Sequence, residues 1–401
     1  MLSQEVEERL AEHLVTRIEE ANTYIFEKIG ESIKKMSTLI PTNAYKLGQI
    51  LKYGGNYEDI ARQLAKISGR NVEDIYKIFD EVAKSNKQFA KQFYDYRGMN
   101  FIPYSQDIAL QNQVKSIATL TANKYLNIAN TRGIGFLFED IQGQMYFKDI
   151  QQSYYEIIDR GILAISQGKE NFQTEMRRIM KQLGNSGVVI YESGRTRRLD
   201  SAVRMNLLDG IRQLNIENNL RFGQEYDADG VEISVHTNPA PDHADIQGRQ
   251  FSKEEYNKLQ DGFTAKDVRG NTYDGAEKRH IGEYNCYHTI FNIVLGVSKS
   301  QYTDKQLKEI QDKNNEGFEI DRKHYTMYEG TQLQRRLELE VRKEKDTQIL
   351  ARKANDDTLA KASELKIRHL TSKYNELCSI SGLKPKKQRM SVPRYRRIKI
   401  S

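Results

Sequence analysis

Tryptophan is absent from the sequence, and among its 401 residues only six are proline and two are cysteine. Few prolines leave long helices uninterrupted, and abundant Lys, Glu, Gln and Leu favour them. Cys286 and Cys378 are too few for a disulfide framework. No apolar run of about 18 residues occurs, so no helix is expected to cross a membrane. The opening residues, Met1 to Leu14, are acidic and amphipathic, unlike the basic-then-apolar order of a signal peptide. The chain is therefore expected to be made and used in a cytosol, or in particles assembled there. Phosphate-cradling P-loops, the Rossmann fingerprint, GxSxG and HExxH are also missing, which removes the common nucleotide, hydrolase and zincin signatures.

What is present is a polar, folded composition: 38% hydrophobic, 29% charged, with 23 tyrosines. Charge is unevenly spread. From Phe318 onward there are 21 Lys and Arg against 11 Asp and Glu, a net +10, which leaves the preceding part near −3. Acidic residues are absent from Lys384 to Ser401, where Lys384, Lys386, Lys387, Arg389, Arg394, Arg396, Arg397 and Lys399 concentrate. Pro385 and Pro393 discourage a helix there. Such a segment suits a polyanionic or acidic partner, or equally a solvated end, and is expected to be dispensable for folding.

Apolar spacing sets the organisation. Val6, Leu10, Leu14 and Ile18, then Ile25, Ile29 and Ile33, form a helical stripe over residues 1–52 that Gly54 and Gly55 stop. Asn56 is placed to cap a helix through Ile60, Leu64 and Ile67. Ser68 to Asn71 reads as a turn, with Asn71 capping a second helix, so this stretch resembles a helical hairpin. Helical patterns return over 110–130, 145–167 and 172–183. Near Gly184 the texture changes. Val188 to Tyr191 is β-rich, Ser193 and Gly194 mark a turn, and Asp200 or Ser201 caps a helix through Leu214. Val231, Ile233 and Val235 alternate toward one face of a strand, and Tyr287 to Leu295 is a further β-capable run.

From Thr331 to Ser381 there is neither glycine nor proline. A continuous helix there would extend about 75 Å. Asn355, Asp356 and Asp357 mark an interruption, Ile367, Leu370, Tyr374 and Leu377 form a short heptad-like seam, and Glu338 and Arg342 are spaced as an i,i+4 ion pair. The stretch reads either as an extended arm or as a helix folded back on the body.

The expected chain is mainly α with a small α+β domain. It divides into an N-terminal helical region (1–97), a middle helical region (98–183), a small α+β domain (184–317), a long helical arm (318–383) and a basic flexible tail (384–401).

Chemistry concentrates between His236 and His288. Four of the seven histidines and one of the two cysteines lie in this stretch. Thiolate and imidazole are the right donors for a tetrahedral zinc, so His236, His243, Cys286 and His288 are the candidate ligands. Cys286 and His288 alternate along a strand and equally line a pocket. Adjacent Asp242 and His243 offer a carboxylate and an imidazole, the parts of a general base, but no further partner is evident. No catalytic residue and no organic cofactor is assigned. A metal-dependent hydrolase or nuclease using the cluster is the alternative to a purely structural protein.

Three segments carry a resemblance. The first is Tyr191, Glu192, Ser193, Gly194 and Arg195, leading to Leu199, Asp200, Ser201, Ala202, Val203 and Arg204. The second runs from His236 through Pro241, Asp242, His243 and Ala244 to Gln247, Gly248, Phe251 and Ser252. The third holds Gly282, Asn285, Cys286, His288, Gly296 and Ser298, then Tyr325, Tyr328, Glu329, Gln332 and Arg335 with Glu338 and Arg342. In this order they resemble the phage minor capsid protein family (the second minor capsid family of siphophages), which is similar to the Mu F-like head morphogenesis proteins. Tyr287 and Ala240 stand where the family often has arginine.

The resemblance implies a Mu F-like α+β module and a low-copy structural component of the phage head, found in the virion and in host cytoplasm during assembly. Its implied partners are the portal and capsid or scaffold proteins, with no membrane. It carries no catalytic residue over. The basic tail would add contacts to packaged double-stranded DNA without sequence preference. Tyr395 is placed there to stack on an exposed base.

Overall fold

The alternating Ile134, Phe136 and Phe138, buried in a mainly helical chain, make the first strand of a sheet in a mainly α fold. A computed structural model describes residues 4–53, 56–129, 133–140, 142–186, 188–190 and 196–399. In chain order the elements are α1 (Gln4–Met36), α2 (Pro41–Tyr53), α3 (Asn56–Tyr96), α4 (Ile108–Ile128), β1 (Ile134–Glu139), β2 (Met145–Asp149), α5 (Ile150–Ser166), α6 (Lys169–Ser186), β3 (Val188–Ile190), β4 (Thr196–Arg198) and α7 (Leu199–Glu225). There follow β5 (Gly230–Ile233), β6 (Gln250–Ser252), α8 (Lys253–Gln260), β7 (Ala265–Lys266), β8 (Thr272–Tyr273), β9 (Ile290–Ile293), α9 (Asp304–Glu316), β10 (Phe318–Ile320), β11 (Lys323–Tyr325), α10 (Met327–Lys353) and α11 (Asp357–Ser381).

The chain forms two compact units, each assembled from three stretches. One comprises 1–12, 73–123 and 205–332; the other comprises 13–72, 124–204 and 333–401. Neither coincides with one of the five consecutive segments expected from the sequence.

In the first unit, β5 is the centre of a three-stranded antiparallel sheet ordered β6-β5-β9. Its register pairs Ile233 with Ile290 and Gly230 with Ile293. Val231, Ile233, Phe251, Tyr256, Leu259 and Ile290 form its core. Ser252 ends β6 and caps α8, its hydroxyl accepting the N–H of Glu255 at 3.1 Å. This is the small α+β element of the fold.

In the second unit, a four-stranded sheet runs β2-β1-β3-β4, with β1 antiparallel to β2 and to β3. The strand expected at Val188 is therefore β3, but it pairs with β1 rather than belonging to the sheet of β5. The turn expected at Ser193 and Gly194, and the resembling residues Tyr191 to Arg195, lie outside the described residues, as do Gly54 and Gly55.

Four helical expectations are corrected. The pattern over 145–167 is helical only from Ile150, because Met145–Asp149 pair with β1 as β2. The helix over 1–52 is broken between Met36 and Pro41, and Pro41, lacking an N–H, opens α2 where none is needed. The helical hairpin is a single helix, α3. Asn71 does not cap: its buried amide donates to the Tyr125 hydroxyl at 3.0 Å and to the Leu14 carbonyl at 3.2 Å, and its oxygen accepts from Arg17 at 3.1 Å. These bonds offset the roughly 1 kcal/mol that Gly69 costs inside a helix. The extended arm is an antiparallel pair. The Asp356 carboxylate caps α11 through the Leu359 N–H, and α11 folds back so that Ile367, Tyr374 and Cys378 pack with Val341 of α10. Glu338 accepts from the Tyr374 hydroxyl at 3.2 Å, while Arg342 pairs with Asp200 and with Glu19.

Candidate metal centre

Antiparallel pairing places the end of β5 beside the start of β9. His236 lies three residues beyond β5, and Cys286 and His288 lie just before β9. Between them, residues 241–248 form consecutive turns that begin with the His243 N–H donating to the Ala240 carbonyl and return through the Gly248 N–H to the Ile233 carbonyl at 2.8 Å. Gly248 takes φ 67° there, and a Cβ would meet Leu307 at 2.6 Å and Val235 at 2.9 Å. The loop before β9 is tight as well: Tyr284 and Asn285 have φ 49° and 64°. Asp209 holds both, accepting their N–H groups at 3.1 and 3.2 Å.

This scaffold brings His243, Cys286 and His288 together, with exposures of 0%, 2% and 4%. One donor atom from each lies within 4.8 Å of the others. Cys286 Sγ is 3.3 Å from His243 Nδ1 and 3.4 Å from His288 Nδ1. His243 Nε2 is 2.8 Å from the Arg279 carbonyl oxygen, and His288 Nε2 is 3.3 Å from Gln247 Oε1. His236 stands outside this trio but against it, its ring edge-on to His288 at 4.6 Å between centroids. His236 Nε2 is buried without a hydrogen-bond partner among the described residues.

Burial governs the titration of the cluster. It pushes the Cys286 thiol up and the imidazoles of His236 and His243 down. His288, buried and facing the other two histidines, falls to about 2. Burial thus favours the neutral imidazole, the form that can bind a metal.

Asp242 and His243 do not form a base-and-orienter pair. Asp242 is held by Arg279, which donates Nε and Nη2 to its two oxygens at 2.6 and 2.9 Å, and the His243 Nε2 contact is 3.8 Å. Burial raises the Asp242 carboxyl, but the bonds from Arg279 outweigh it and hold it below its ordinary value. Tyr287 lies under the Arg212 guanidinium, 4.1 Å from its ring centroid. Gln247 and the Arg279 carbonyl orient the imidazoles, and no residue spacing marks either as part of the site.

The eight basic residues lie in the other unit, and the segment that carries them is packed rather than flexible. Residues 387–390 form a 3-10 turn, and Met390 and Val392 are 7% and 6% exposed. Gln334 donates to the Lys384 carbonyl at 3.1 Å, Lys345 to the Met390 carbonyl at 2.6 Å, and Arg368 to the Ile398 carbonyl at 2.8 Å. Arg394 pairs with Glu27, and Arg397 lies 3.8 Å from Glu364. Tyr395 is not presented for base stacking: its hydroxyl donates to Glu364 at 2.8 Å, and Lys345 covers its ring. Lys384, Lys387, Arg394, Arg396, Arg397 and Lys399 remain exposed, while Lys386 and Arg389 are half-buried.

A family model described as phage minor capsid protein 2 matches residues 4–379. No curated protein and no solved structure matches the chain.

Proposed function

The chain belongs to the phage minor capsid protein 2 family, and from this premise we propose that it acts structurally at the portal of a tailed-phage head, during capsid assembly and DNA packaging or delivery. The observation that carries this reading is the match along residues 4–379. A capsid component of this kind needs recognition surfaces rather than an active site. Its partners are the portal and the capsid or scaffold proteins. The exposed cations of 384–399 add a sequence-independent contact to packaged duplex DNA, through charge neutralisation and counterion release. Among the described residues no helix is long and apolar enough to cross a membrane.

The hydrolase reading rests on the same His/Cys cluster, in which His243, Cys286 and His288 are almost fully buried. A nuclease needs its metal or base within reach of a phosphodiester, and burial of this kind keeps a polymer out.

The test is co-purification. The full chain, tagged and produced together with the portal protein or with the major capsid protein of the same phage, is isolated and cross-linked. Portal subunits in the eluate support the proposal. An eluate lacking portal at concentrations where assembled heads form overturns it.

A further inference from the structure

The cluster at the head of β5 and β9 contains more lone pairs than protons. The Arg279 carbonyl can only accept, so His243 Nε2, 2.8 Å away, carries that ring's proton and Nδ1 is a bare lone pair. Gln247 Oε1 accepts the His236 backbone N–H at 2.9 Å, which identifies that atom as the oxygen. His288 Nε2, 3.3 Å from the same oxygen, therefore carries the proton of its ring, and His288 Nδ1 is a second bare lone pair. Both lone pairs face Cys286 Sγ, at 3.3 and 3.4 Å. A thiol has one proton and can satisfy only one of them. The buried His236 Nε2, without a partner among the described residues, adds to the excess of unmet polar atoms. A buried acceptor left unpaired forfeits the hydrogen bonds it made to water and gains none in return.

A cation in place of the thiol proton resolves this. We propose that His243 Nδ1, Cys286 Sγ and His288 Nδ1 bind one zinc ion, with His236 Nε2 closing the tetrahedron. At zinc–nitrogen and zinc–sulfur lengths of about 2.0–2.1 and 2.3 Å, tetrahedral donor atoms stand about 3.3–3.7 Å apart. The two distances from Cys286 already lie in that range. The donor set of thiolate and imidazole selects zinc over magnesium or calcium, which take oxygen. The carbonyl of Arg279 and the amide of Gln247 supply the hydrogen bonds that fix ligand imidazoles in their metal-binding tautomer. On binding, the Cys286 S–H bond breaks heterolytically, the sulfur keeps the electron pair, and one proton leaves to solvent. No oxidant or reductant is involved. The nearby guanidinium of Arg279 is neutralised by Asp242, and that of Arg212 lies 3.4 Å from Glu7 and 3.5 Å from Asp209.

The ion is structural. It ties the turns of 241–248 to the loop before β9, across two strand ends that otherwise share only short ladders. The inference is independent of the portal reading, because it concerns only this cluster.

The test uses the full chain, purified without added metal. Elemental analysis is expected to find about one zinc per chain, and exchange with Co²⁺ to give the intense visible bands of a tetrahedral site with a thiolate charge-transfer band. Cys286→Ser is expected to lose the charge-transfer band, and His236→Ala to weaken the visible bands while keeping it. Should Cys286→Ser fail to fold, the cobalt spectrum of the unaltered chain decides alone. Fewer than about 0.2 zinc per chain together with no cobalt bands overturns the site. An unchanged cobalt spectrum in His236→Ala overturns the fourth ligand.

Discussion

The hydroxyl of Tyr374 accepts the backbone N–H of Lys386 at 2.7 Å and donates to Glu338 at 3.2 Å. One buried side chain thus ties the chain beyond α11 back onto α10. Tyr374→Phe leaves the Lys386 N–H and the Glu338 carboxylate without this partner and is expected to cost about 1–3 kcal/mol. Met390→Ala is expected to cost about 2–3 kcal/mol, as a buried methionine truncation. Deleting 384–399 is accordingly expected to lower the melting temperature strongly, contrary to the dispensable tail that composition suggests. Thermal unfolding of the three variants measures this, and a deletion that melts with the full chain would refute it.

Arg342 is buried with Asp200, Glu19 and Asp346 around it, and Arg198 pairs with Asp200 at 2.8 Å and also with Asp346. Asp200 and Arg342 belong to the first and last resembling segments, so this ion network is where those two segments meet. Arg342→Met leaves buried carboxylates with one cation fewer and is expected to cost about 3 kcal/mol or more. Denaturant titration checks it; a loss below about 1 kcal/mol would show the network to be energetically idle.

Glu19 belongs to the same network. Burial raises its carboxyl to about 7, against the opposing pull of Arg342, Arg198 and Arg204 and with the help of Asp346. The folded chain therefore holds a proton that the unfolded chain releases near pH 4.5. Its contribution to stability is full below that pH and is lost as pH rises through 7. Glu19→Gln is expected to flatten the fall in stability between about pH 5 and 7, a change on the order of 1–3 kcal/mol. Unfolding curves at four pH values suffice, and an identical slope in the variant contradicts the assignment.

The basic surface is testable without deleting the packed segment. Replacing the exposed Lys387, Arg396 and Lys399 by glutamine is expected to leave folding intact and to reduce the log–log salt slope of duplex binding by about 0.9 for each lost phosphate contact. A salt titration on one duplex reads it directly. Equal slopes for variant and parent would redirect these charges to an acidic protein partner.

Much of this was legible in residue spacing. Val231 and Ile233 alternate, and β5 is a strand; Asn355 to Asp357 interrupt, and the helix breaks there. The family was legible too, and so was the gathering of His243, Cys286 and His288, which lie in short stretches of unusual composition. Other features were not. Ile134, Phe136 and Phe138 carry a two-residue period, but three residues between helical patterns are too short a run to mark a strand by themselves. Asn71 reads as a cap locally, and only its tertiary partners Tyr125 and Leu14 keep α3 continuous. The packing of 384–399 depends on Tyr374, Lys345 and Glu364, distant in sequence, while the segment's own charge and prolines suggest solvent. Composition reports what a segment prefers alone, and these cases were decided by partners.

The measurement that bears most directly on the whole account is quantitative mass spectrometry of purified, DNA-filled heads of the phage that encodes this chain. A minor capsid component working at the portal is expected in every preparation, at a copy number close to that of the portal subunit and far below that of the major shell protein. Its absence from such heads, or an abundance matching the shell protein, would contradict the account.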